Sequence, residues 1–363
     1  MASSMFSQDP RWADLNPIPQ IEPENSLVPI MYSLEYQDAM GYFRALSALE
    51  EYSDRALEVT LRVIRMNPAH YTVWQYRFST LMKLQRSLED ELRLMTELAE
   101  DNMKSYQVWH HRLLLLTHLP SPISPSTIHR ELDFIATSLE PDAKNYHTWA
   151  YRQYVLTHFG PILTEEDWTN ELAWCESLLV VQSGRESEES EVIMENHGSD
   201  EEEDDEWIEE NKRGAGDVRN NSAWTHRWFL VFGREGAKGK DGLAREIDYT
   251  TDQIRKVPNN TSSWAYLRGV HSKFGLSFTS ESGLAQSVIE ACALKGYPCP
   301  LATEWLVDVA VENEEWEEAG QLLDRLSLED PVRSRYWAYR KSRLGSHPIS
   351  TDSSIPTPSL TTT

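Results

Sequence analysis

Basic residues are scarce in this chain and cysteine is scarcer. Of 363 residues, 34 are Lys or Arg against 58 Asp or Glu, a net charge of -24. That deficit excludes nucleic acid and anionic membranes as the main partners, because both are held by basic faces that displace counterions. Three cysteines, Cys175, Cys292 and Cys299, form no CxxC pair and no metal-ligand or disulfide spacing, as expected of a reducing compartment. Any metal would come from a partner. No apolar run reaches membrane-spanning length, MASSMFSQDPRW lacks the apolar core of a signal peptide, and the terminal TTT carries no lipidation box, so the cytoplasm is the expected location. Strand-like alternation is missing too. So are a Ser/His/Asp set, a phosphate-cradling Gly loop and a paired-carboxylate motif.

What is present is helical. Segments such as SDRALEVTLRVIRMNP and LEDELRLMTELAEDN space their apolar residues by three and four and break at Asn, Pro or Gly, the signature of amphipathic helices. Residues 1–30, rich in Pro and polar side chains, and the Ser/Thr/Pro-rich residues 346–363 read as flexible tails. A repeat domain is expected over 31–345. It is interrupted at about 183–213 by an insert in which residues 186–210 hold 14 acids and no Lys or Arg, too few apolar groups to offset the entropy lost on ordering.

Thirteen Trp residues mark a repeat. HYTVWQYR (70–77), SYQVWHHR (105–112), NYHTWAYR (145–152), NNSAWTHR (220–227) and NTSSWAYLR (260–268) share a Trp, and RSRYWAYR (333–340) is a candidate sixth. The spacings between Trp74, Trp109, Trp149, Trp224 and Trp264 are 35, 40, 75 and 40, and the long gap holds the acidic insert. This is the period of a helical hairpin. Arg three after the Trp shares its helix face, and the polar residue four before it stands at a cap position, so one helix starts at each motif. Most of these Trp and Arg side chains are expected to pack and bond within the scaffold.

The Trp-x-x-Arg repeat with Asn four before the Trp resembles that of protein prenyltransferase α subunits, over roughly residues 30–345. PIMYSLEYQDAMGYFRAL, RMNPAHYTVWQYR, KSYQVWHHR, DAKNYHTWAYRQYV, VRNNSAWTHRWFLV and KVPNNTSSWAYLRG are similar to the farnesyltransferase and type I geranylgeranyltransferase branch in particular. Leu267, standing where Arg is expected, also occurs in that family, whereas the acidic insert departs from it. The resemblance implies an all-α fold, a right-handed α-α superhelix forming a crescent solenoid of hairpins. It implies an obligate β subunit carrying Zn2+, Mg2+ accompanying the diphosphate, and transfer of farnesyl or geranylgeranyl to the Cys of a C-terminal CaaX sequence. Lys144 then falls where a cation meets the diphosphate, at a helix start whose N–H dipoles add positive potential. Tyr146 is the second catalytic candidate, and with His147 and Tyr106 it completes the substrate-binding set. Tyr71, Tyr106 and Tyr146 recur three before each Trp, a stripe suited to an interface. Asn145, Trp149, Arg152, Asn220, Trp224 and Arg227 are expected to support the site. Two alternatives stand beside this reading: the α subunit of the Rab-type geranylgeranyltransferase, and a non-catalytic helical scaffold binding peptides.

Overall fold

Several helices of this protein begin where a side chain satisfies the unpaired N–H groups of the first turn. Ser33, Ser53 and Ser87 each accept from the amide three residues on; at the repeat motifs Asn145 and Asn220 accept from the amides two and three residues on, and Asn260 from the amide two on. The structure, a computed structural model, describes residues 5–21, 27–28, 30–180, 216–234 and 242–344. Among these residues there are fifteen α-helices and no strand. The insert at 183–213 and the tail at 346–363 lie outside the described residues.

The described residues up to Asp167 form one compact unit and those from Trp168 onward a second. In the first, α1 (Leu34–Ala48) packs on α2, and three hairpins follow: α2 (Asp54–Met66) with α3 (Tyr71–Lys83), α4 (Leu88–Asp101) with α5 (Tyr106–Thr117), and α6 (Pro125–Leu139) with α7 (Tyr146–Phe159). The division falls in α8 (Glu165–Ser177). In the second unit α9 (Asn221–Trp228) runs on into a π-turn (Phe229–Gly233), followed by α10 (Leu243–Lys256) with α11 (Thr261–Phe274), α12 (Ser282–Leu294) with α13 (Pro300–Glu312), and α14 (Trp316–Glu329) with α15 (Ser334–Ser342).

The repeat motif builds two staples. The indole N–H of each motif Trp donates to the carbonyl six residues back: Trp74 to Pro68, Trp109 to Met103, Trp149 to Ala143, Trp224 to Val218 and Trp264 to Pro258, at 2.7–2.9 Å. The next repeat's cap residue uses the same carbonyl. Ser105 Oγ donates to Pro68 O, Asn145 Nδ2 to Met103 O, and Asn260 Nδ2 to Val218 O. One carbonyl thereby accepts two hydrogen bonds, and consecutive hairpins are joined where each helix starts.

The motif arginines make the second staple. Arg77 forks onto Glu91 with Nε at 2.6 Å and Nη2 at 2.7 Å, while its Nη1 donates to Leu57 O. Arg112 forks onto Glu131 and reaches Leu92 O; Arg227 forks onto Glu246 and reaches Glu176. Each guanidinium thus ties its own helix to the preceding helix and to the first helix of the next repeat. These pairs are buried on both sides. Such a pair adds little net stability over apolar packing, but removing one partner costs roughly 3–5 kcal/mol because the other charge stays buried alone.

Residues 5–21, expected as part of a flexible tail, instead lie against α1. Phe6, Trp12 and Leu15 are buried, Trp12 meets Tyr42 edge-on with ring centroids 5.4 Å apart, and the Phe6 amide donates to Asp38 at 2.6 Å. Gly41 allows the close approach: a Cβ there would meet Pro17 Cβ at 3.0 Å, and Gly41 O accepts from Ile18 N. Composition concealed this because three apolar side chains are diluted among many polar ones.

The candidate sixth motif, 333–340, does begin a helix, and Trp337 is buried. Between it and Trp264 stands a hairpin that the motif search missed, α12 with α13. Its Trp305 comes 41 residues after Trp264, but the residue three further on is Asp308 rather than Arg.

Candidate functional site

The staples fix a row of turns, and the helix starts they fix carry the predicted site residues. In the turn before α7 the Ala143 carbonyl is held by Trp149 Nε1 at 2.9 Å, and Asn145 Oδ1 accepts from the amides of His147 (3.0 Å) and Thr148 (3.4 Å). Asn145 is buried, so the cap is shielded from competing water. With the backbone held on both sides, Lys144 and Tyr146 project into solvent from a turn that has little freedom to move.

Tyr71, Tyr106 and Tyr146 are each the first residue of a helix and are 71%, 67% and 70% exposed. Single exposed apolar residues are ordinary, but the same large ring at one register in three consecutive repeats is a surface feature of the fold. His147 stands between two of them: its ring meets Tyr106 edge-to-face at 4.2 Å and Tyr146 at 5.7 Å. The structure therefore brings together Tyr106, Tyr146 and His147, with Lys144 one residue before the helix-capping Asn145. Lys104, which the sequence search did not single out, holds the position in KSY that Lys144 holds in KNY. Its Nζ lies 3.6 Å from Asp142, whose other oxygen accepts from the Lys144 amide at 3.4 Å. Comparing repeats at two before the Tyr would have found it. A shallow groove of about 600 Å³ lies beside it, lined by Pro68, Asn102, Met103, Lys104 and Tyr106 among others.

The residues expected to support the site are buried, each within its own unit. Trp149 and Arg152 sit inside the first unit, and Arg152 Nη1 donates to Leu132 O at 2.8 Å. In the second unit Asn220 caps α9 by accepting from Ser222 and Ala223, Trp224 bonds Val218 O, and Arg227 is fully buried between Glu246 and Glu176. These groups hold turns; they do not reach solvent.

The electrostatics of the scaffold follow from the same staples. Burial alone would raise the Glu91 carboxyl, but hydrogen bonds and charge from His111 and Arg77 outweigh it and hold the group at about 2. Burial lowers the His111 imidazole below its ordinary value against the pull of Glu91. The Tyr151 hydroxyl, fully enclosed and 2.5 Å from Glu131, is pushed well up by burial and by that carboxylate, so it stays a donor. Among the described residues no group of three or more His, Cys, Asp or Glu side chains could hold a metal ion, and no helix is long and apolar enough to cross a membrane.

Fold and site together define a helical-hairpin repeat scaffold that presents a fixed aromatic and basic edge. The protein prenyltransferase alpha subunit repeat matches residues 53–84, 88–119, 128–159 and 243–274, which are the hairpins α2/α3, α4/α5, α6/α7 and α10/α11. The chain is 30% identical over 341 residues to the protein farnesyltransferase/geranylgeranyltransferase type-1 subunit alpha of Candida albicans, covering 92% of this chain and 97% of that one. It is 31% identical over 358 residues to the subunit of the same name from Pisum sativum, covering 92% and 93%. A solved structure, Candida albicans protein geranylgeranyltransferase-I complexed with GGPP, superposes with a TM-score of 0.73 at 29% identity over 91% of this chain and 97% of that chain. The chain belongs to the protein prenyltransferase α-subunit family, as an α subunit of the farnesyltransferase/geranylgeranyltransferase type-1 kind and so a component of prenyltransferase enzymes.

Proposed function

We propose that this chain pairs with a β subunit and, in that complex, transfers farnesyl or geranylgeranyl from its diphosphate to the Cys of C-terminal CaaX sequences in the cytoplasm. The observation that carries the reading is the fixed edge of Lys144, Tyr146, His147 and Tyr106, backed by buried supports in a chain that aligns over nine-tenths of its length with subunits of such enzymes. In the reaction the cysteine sulfur bonds to C1 of the isoprenoid, the C1–O bond breaks, and the electron pair leaves with the diphosphate. Negative charge therefore grows on the leaving group, and a cation beside it stabilises the transition state more than the ground state.

Lys144 supplies that cation from a turn whose backbone is pinned, so little reorganisation is needed when the charge develops. The Tyr146 hydroxyl donates to the diphosphate or the peptide, and His147, wedged between two tyrosines, faces the peptide's C-terminal end. Asn145, Trp149 and Arg152 position these turns, and Asn220, Trp224 and Arg227 hold the corresponding turn of the second unit. A Zn2+ held by the β subunit would favour the thiolate form of the substrate cysteine, and Mg2+ would accompany the diphosphate.

The test is co-expression with a farnesyltransferase or type I β subunit, followed by transfer of labelled isoprenoid to a CaaX peptide. The expected result is a stoichiometric complex that transfers label when neither chain alone does. Lys144→Ala is expected to leave that complex intact and slow transfer by roughly ten- to a thousandfold. A chain that stays monomeric and inactive with every β subunit supports a peptide-binding scaffold instead, and an unchanged rate removes Lys144 from the site.

A further inference from the structure

Two features have no part in the activity above: the acidic stretch 186–210 and the last helix. From Arg333 to Arg343 the chain carries five Arg or Lys and no acid, within a protein of net charge -24. One side of α15 is committed to the fold: Trp337 is buried with its Nε1 on Asp330, and Arg340 bridges Glu304 (3.2 Å) and Asp308 (2.7 Å). The other side faces solvent. Val332, Tyr336 and Tyr339 are 93%, 46% and 61% exposed, and their spacing of four and three places them in one stripe that Arg343 extends by another turn. Arg335 and Arg343 are exposed beside that stripe and have no ion pair or side-chain hydrogen bond among the described residues. The end helix of a repeat array ordinarily presents a polar outer face. An aromatic and basic face with unpaired arginines has instead the composition of a binding surface.

We propose that this face of α15 binds the chain's own segment Glu186–Glu201. That segment reads ESEESEVIMENHGSDE: seven carboxylates without Lys or Arg, around the apolar triplet Val192, Ile193 and Met194. Charge and apolar character match on the two sides. The reach is sufficient. Val192 lies 12 residues past Val180, about 40 Å of extended chain. The path from α9 through α11 and α13 to α15 is three helix-to-helix steps of about 10 Å each. Linkage within one chain gives millimolar effective concentration, so a weak contact is occupied most of the time.

Two measurements test the assignment. In the full chain, cleavage by a glutamate-specific protease after Glu188 to Glu195 is expected to quicken about tenfold in Arg335→Glu/Arg343→Glu and in Tyr336→Ser/Tyr339→Ser. These exposed substitutions should leave the circular-dichroism melt unchanged. A labelled peptide of residues 186–201, added to a chain in which those residues are replaced by a Gly/Ser linker, should bind saturably. Its affinity should fall about tenfold in Arg335→Glu/Arg343→Glu and on a tenfold rise in salt. Equal cleavage rates, absence of saturable peptide binding, or binding indifferent to the two arginines would overturn the proposal. Protection that disappears on dilution would overturn it too, assigning the segment to a second copy.

Discussion

The hairpins of the first unit and the last two hairpins of the second solve one packing problem with opposite charge arrangements. In α3 and α5 an Arg three after the Trp is buried and forks onto a Glu from the next repeat. In α13 that position is Asp308, which pairs with Arg268 of α11 and with Arg340 of α15, all partly open to solvent. The geometry of the joint is retained while its sign and its burial change. A guanidinium enclosed by three helices needs both hydrogen-bond directions of a carboxylate, whereas an exposed pair shares the task with water. Substitutions in the two regions should therefore differ in cost far more than their contact patterns differ.

The largest effect is expected at the buried staples. Arg112→Ala leaves Glu131 enclosed without its cation and should lower unfolding free energy by roughly 3–5 kcal/mol, read from urea denaturation. Arg112→Met with Glu131→Leu and Tyr151→Phe, the last because Tyr151 also donates to Glu131, should recover most of that loss, since well-packed apolar groups replace such pairs at little cost. Failure of the triple variant to recover would mean that the staple specifies the fold as well as stabilising it.

Next comes acid. The folded Glu91 carboxyl titrates at about 2 against an ordinary 4.5, so its contribution is complete above 4.5 and fades as pH falls toward 2. The shift corresponds to on the order of 3 kcal/mol. Thermal melts of the wild type should fall steeply through that window, and Glu91→Gln, already lacking the charge, should show a shallower slope. Equal slopes would put the acid sensitivity elsewhere.

Asn145→Ala should cost about 1–2 kcal/mol, because it removes the α7 cap and one of the two donors to Met103 O. It loosens the turn bearing Lys144, so transfer should slow before the fold is lost. The smallest effect is expected at Asp308→Asn, at most about 1 kcal/mol for a partly exposed pair. A loss comparable with that at Arg112 would break the comparison between the two regions.

Much of this architecture was legible in the sequence. The Trp period, the cap residues and the apolar spacing are local properties, set within one or two helical turns, and they identify the helix starts and the edge where Lys144, Tyr146 and His147 stand. The hairpin α12/α13 escaped notice because Asp308 inverts the charge that defines the motif, although Trp305 keeps the period. Lys104 escaped because its repeat was read for its Trp and Arg alone. Cys299 offers no pair or ligand spacing in the sequence, but it stands at the cap position of α13, donates weakly to Pro258 O at 3.4 Å as Asn145 does to Met103 O, and is pushed up to about 12 by burial.

By itself, then, the sequence determined that the chain repeats, that its repeats are helical pairs, and which residues begin each second helix, because those features depend on neighbours three to six residues away. Only the tertiary structure decided which carboxylate each arginine meets, that one carbonyl serves two repeats, that Phe6 and Trp12 are buried against α1, and that one face of α15 has no covering helix among the described residues. Those outcomes depend on groups 14 to 51 residues apart, and their pairing follows from helix packing rather than from any local preference.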